Sequence, residues 1–108
     1  MSGAMLRLSI WRARYGIRRI ARRYCLHAKV FTLEAVWLSP RNLAFWITTQ
    51  TDAERDLMRS APELVSEFRQ ELLDVGYPAK AVADVGFEFE AQQTVDRDYT
   101  GNWWYRVK

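Results

Sequence analysis

Val85-Gly86-Phe87-Glu88-Phe89-Glu90-Ala91 places apolar residues at odd positions and acids at Glu88 and Glu90. Successive side chains of a strand point to opposite faces, so this period of two marks a β-strand with one face on a core. Working back along the chain, Leu57, Ala61, Leu64, Val65, Phe68, Leu72 and Val75 form one helical stripe. Thr51 to Glu54 matches a helix capping box, and Pro62 either interrupts the helix or opens a second one at its first position. Gly76 suits a helix C-terminus, and Pro78 prevents continuation. Further back, Lys29 to Leu38 reads as a strand, with Phe31, Leu33, Ala35 and Trp37 on one apolar face. Ser39-Pro40-Arg41-Asn42 is a turn, and Leu43 to Gln50 reads as the return strand. Beyond Ala91, residues 96–102 read as a loop and Trp103 to Val107 as a closing strand. The expected fold is α+β: an antiparallel sheet of about four strands in ββαββ order, with helix on one face, behind a basic amphipathic N-terminal helix. Phe31, Leu33, Phe45, Ile47, Leu64, Phe68, Leu72, Phe87 and Phe89 are its expected core.

The chain has 108 residues, the size of one domain. Its 49% apolar and 27% charged composition is that of a globular protein, which argues against wholesale disorder. One cysteine, Cys25, permits no disulfide within the chain, so a stapled secreted fold is excluded and a reducing, cytoplasmic setting is expected. No apolar run reaches the roughly 20 residues that span a bilayer. Lys29 and Glu34 break the stretch that an export signal after the arginine pairs would need.

The net charge of +3 conceals a division. Residues 1–27 carry seven arginines (Arg7, Arg12, Arg14, Arg18, Arg19, Arg22 and Arg23) and no acid. Residues 28–108 carry nine Lys and Arg against thirteen Asp and Glu. Two segments are therefore expected, an arginine-rich arm over 1–27 and one α+β domain over 28–108. Within the arm, Leu6, Ile10, Ala13, Ile17, Ile20 and Tyr24 share one helical face, and Gly16 costs that helix about 1 kcal/mol relative to Ala. Such an arm has three readings. It binds nucleic acid, because arginine pairs with phosphate and stacks on bases; it lies on an anionic membrane; or it is not a functional element, the true start lying at Val30 or Leu33.

Signals for catalysis are weak. His27 and Cys25 form a thiol–imidazole pair only if the segment is extended, and an inert cysteine beside a linker histidine accounts for them better. No phosphate-binding glycine loop or zinc spacing is present. Asp96, Asp98, Thr100 and Gly101 match the first half of a calcium loop, but the twelfth position is Val107 where a bidentate Glu belongs. No enzyme activity, metal site or cofactor is therefore expected.

The expected function is that of a small protein-binding module, with the physical profile of an immunity or antitoxin-type inhibitor of a basic toxin. Its surface would be the acidic stripe Glu63, Glu67, Glu71 and Asp74, with Glu88 and Glu90, and the aromatics Trp46, Trp103, Trp104 and Tyr105. Neighbouring strand residues face opposite ways, so one of Trp103 and Trp104 needs cover from the N-terminal helix or a partner, and self-association is compatible with that surface. On this reading, removal of residues 1–27 leaves folding and partner binding nearly intact. The alternative is a nucleic-acid-associated protein working through Arg12, Arg14, Arg18, Arg19, Arg22 and Arg23.

Overall fold

Ser2 accepts a hydrogen bond from the Met5 N–H and so caps a helix α1, Gly3–Ala21. The computed structural model describes residues 2–108. Strands β1 (Lys29–Glu34) and β2 (Leu43–Thr49) follow, then helices α2 (Asp52–Arg59), α3 (Pro62–Asp74) and α4 (Ala79–Val82). The chain ends with β3 (Gly86–Ala91), α5 (Gln92–Asp98) and α6 (Trp103–Val107).

The α+β class and the N-terminal helix match expectation, but the sheet does not. It has three strands in the order β1-β2-β3, with β1 antiparallel to β2 and β3 parallel to it. The expected four antiparallel strands in ββαββ order are therefore corrected. Helices α2, α3 and α4 form the crossover from β2 to β3, and a connection of that length permits a parallel return. Trp103 to Val107 has the aromatic content of a strand, yet Asn102 accepts the Tyr105 N–H and starts a helical turn. The expected loop begins as α5, which ends where Thr100 (φ 51°) and Gly101 (φ 76°) turn the backbone left-handed.

Local signals around the crossover are realised. Thr51 and Glu54 form the reciprocal capping box of α2, and Pro62 opens α3. Gly76 (φ 87°) ends α3: its N–H bonds to Leu73 O, and the Tyr77 N–H bonds to Leu72 O. That pair of bonds is a Schellman closure.

One face of the sheet carries the core. Phe45 stacks on Phe87 at 5.6 Å, and Phe68 of α3 packs on Phe87 and Phe89 at 5.5 and 6.2 Å. Leu6, Ile10, Ala13, Ile17 and Ile20 of α1 belong to the same cluster as Phe45, Ile47, Leu64, Phe68 and Leu72. The N-terminal helix is thus part of the core layer. Gly16 allows its close approach to α3, since a Cβ there would lie 1.9 Å from Glu71 Oε1.

Phe31 and Leu33 are corrections to the expected core. Register pairs Phe31 with Trp46 and Val30 with Ile47, so the even positions of β1 face the helices and the odd ones face away. The strand also stops at Glu34, whose carboxylate accepts the Val36 N–H, and the chain turns over Ala35 to Leu38. Phe31 instead stacks on Trp46 at 5.9 Å and meets Trp103 edge-on at 5.7 Å. The C-terminal helices supply this second layer, with the Arg106 guanidinium 5.0 Å above the Trp46 ring.

Candidate nucleic-acid interface

The arginines of α1 and the turn after it spread around the exposed side of the helix, some near acids and some not. On the α3 side, Arg23 bonds to Glu67 at 3.1 Å, Arg19 lies 3.8 Å from Glu71, and the Tyr24 hydroxyl donates to Glu63. The Glu63 bond, then burial and the acids around it, hold the Tyr24 phenol above its ordinary range. Three carboxylates of the expected partner-binding stripe therefore contact the arginine-rich segment of their own chain. Asp74 accepts from Gln70 and is exposed.

On the β1 side, Arg14, Tyr15, Arg18, Arg22, Lys29 and Val30 line a cleft of about 280 Å³. Arg14, Arg18 and Arg22 recur every four residues, which aligns them on one side of a helical path at steps of about 6 Å. Arg22 is oriented by a 2.9 Å bond from Nε to Ala28 O. None of these three arginines, nor Arg12, forms an ion pair among the described residues. Trp11 and Tyr15 stand half-exposed along the same path, 5.0 Å apart and edge to face, with Arg18 stacked 4.8 Å over Tyr15. A second cleft, lined by Arg7, Trp11, Arg14, Thr32 and Glu34, continues toward the helix N-terminus. Arg12 is exposed and lines neither cleft.

The remaining expected site residues are dispersed. Trp46 is buried and Trp103 half-buried, whereas Trp104 and Tyr105 are exposed under Lys108. Glu88 is exposed, but Glu90 is only 2% exposed. Its carboxylate accepts from Arg55 at 3.0 Å, from Arg106 and from the Ala91 N–H at 2.9 Å. Burial alone would raise the Glu90 pKa; the Ala91 bond and the two guanidiniums outweigh it and hold the group below its ordinary value. Arg55 also reaches Thr94, which bonds to Asp52, and Asp52 in turn pairs with Arg97 at 2.8 Å.

Cys25 is buried and donates to Glu54 at 2.8 Å, while His27 is exposed on the following turn. Burial first, then Glu54, push the thiol above its ordinary range, which opposes thiolate chemistry. Asp96 and Asp98 lie at the end of α5, bonded to Gln92 and Arg97. Among the described residues, no three His, Cys, Asp or Glu are grouped to hold a metal ion. No helix among them is long and apolar enough to cross a membrane.

Tyr15 and Lys29 were not singled out in the sequence as binding residues. Their signal was present: Trp11 and Tyr15 recur at the helical interval between the arginines, and Lys29 opens the strand after the arm. Which arginines oppose α3 and which oppose β1 depends on tertiary packing. The geometry defines a small α+β domain with a basic, aromatic-flanked cleft along one helix. No family model, curated protein or solved structure matches the chain.

Proposed function

We propose that the chain binds nucleic acid along the cleft between α1 and β1. The observation that supports this most directly is the row Arg14, Arg18, Arg22 and Lys29 in the first cleft, whose lining includes Tyr15 and no carboxylate. Cations in a concave path suit a phosphate backbone, and an exposed aromatic beside them suits a base. A flat anionic membrane is the competing occupant, since Leu8, Trp11 and Tyr15 stand exposed on the same helix between its arginines.

A basic protein partner is the second reading. Asp74, Glu88, Trp104 and Tyr105 remain exposed to serve it, whereas Glu63, Glu67 and Glu71 already contact Tyr24, Arg23 and Arg19, and Glu90 is buried. Mobility shift of labelled RNA and DNA oligonucleotides by the full chain, beside flotation with phosphatidylserine vesicles, separates nucleic-acid binding from attachment to an anionic membrane. Retarded oligonucleotides with uncaptured vesicles are the expected result. Captured vesicles with unretarded oligonucleotides would overturn the proposal.

A further inference from the structure

The basic cleft does not end at Lys29. Lys29 and Val30 also line a third cavity, of about 470 Å³, together with Phe31, Thr48, Gln92 and Trp103. It opens on the second face of the sheet, so the two cavities meet around β1, an outer strand. Their linings differ in chemistry: arginines dominate the first, and Phe31 and Trp103 the other. The two rings are set edge to face at 5.7 Å, and Phe31 is backed by Trp46. A hydrogen bond of 2.8 Å from Trp103 Nε1 to Gln92 Oε1 fixes the indole.

We infer that the ligand is a single strand whose phosphates follow Arg14, Arg18, Arg22 and Lys29, and that one unpaired base enters the cavity at Phe31 and Trp103. This rests on the nucleic-acid reading above. A duplex keeps its bases paired and stacked inside, so it has none to offer without the cost of extrusion. A single strand presents every base face, and stacking on an aromatic ring tolerates any sequence. Charge along α1 supplies attraction common to all strands, and the aromatic cavity supplies discrimination against duplex.

Fluorescence anisotropy tests this with three ligands of equal length: a single strand, the same strand in a duplex, and a strand made abasic throughout. The full chain is compared with Trp103→Ala and Thr48→Met, the latter occupying part of the cavity with an uncharged side chain, so that Lys29 opposite Thr48 keeps its charge unpaired. The single strand is expected to bind about tenfold tighter than the abasic strand. Either uncharged substitution should reduce that advantage and leave abasic binding and the salt slope unchanged. Equal binding of single strand, duplex and abasic strand would overturn the inference while leaving the nucleic-acid reading standing. Failure of all three ligands to bind would overturn that reading itself. Should Trp103→Ala fail to fold, Thr48→Met alone decides the role of the cavity.

Discussion

Glu90 shows how one residue can belong to a regular sequence pattern and still depart from its meaning. In the alternation of β3 it occupies a polar, outward position like Glu88, yet Arg55 from α2 and Arg106 from α6 close over it. Removing one member of a buried ionic group strands the others, at a cost on the order of 3 kcal/mol. Glu90→Gln is expected to lower stability by about that amount in urea unfolding at neutral pH. The acid limb should change as well. A folded-state pKa below the unfolded value gives stability that is present above the ordinary glutamate range and lost as pH falls through the folded value. Glu90→Gln should therefore flatten stability against pH below the ordinary glutamate range. An unchanged acid limb would show that the ion group contributes little.

At the scale of elements, local chemistry was legible where a short motif decides it. Thr51 and Glu54, Pro62, Gly76 and the Phe87–Phe89 alternation each determine a boundary or a face through neighbouring atoms. The parallel direction of β3 and the helical state of Trp103–Val107 were not legible. The first depends on how three helices traverse the sheet, and aromatic content in the second is equally suited to a strand. Phe31 belongs with these, since which side of β1 meets the helices is set by register with β2. Tyr77 joins two connections in the same tertiary way, its hydroxyl donating to Pro40 O in the β1–β2 turn. Burial first, then Glu34, push its pKa up to about 12. A raised phenol pKa gives stability that is full below the unfolded value and lost as pH rises through the folded one. Tyr77→Phe should remove the tyrosine-linked part of the stability lost between about pH 10 and 12, measured by circular dichroism. An identical alkaline profile in the variant would contradict that link.

Across the whole molecule, charge and packing are arranged together. The acid-free segment does not stand apart from an acidic body: Arg19 and Arg23 oppose Glu71 and Glu67, and its apolar side enters the common core. Leu6, Ile10, Ile17 and Ile20 are each buried, and at about 1.5–3 kcal/mol apiece their removal rivals the whole stability of a small domain. A chain of residues 28–108 is accordingly expected to lose cooperative unfolding and near-ultraviolet circular dichroism. Cooperative folding of that shorter chain would show instead that the helix is dispensable. Arg23 bonds to Glu67 and Arg19 stays largely exposed near Glu71, while Arg14, Arg18 and Arg22, with no ion pair among the described residues, concentrate along β1. The binding proposal depends on them. Affinity of the full chain for a labelled single strand, measured across a salt series beside the Arg14→Glu/Arg18→Glu variant, tests it most directly. Four cations on phosphates predict a slope of log K against log salt of about −3, which the double variant should weaken by at least about 1.4 along with its affinity. Binding insensitive to salt, or equal in the variant and the unaltered chain, would contradict the assignment of this cleft to nucleic acid.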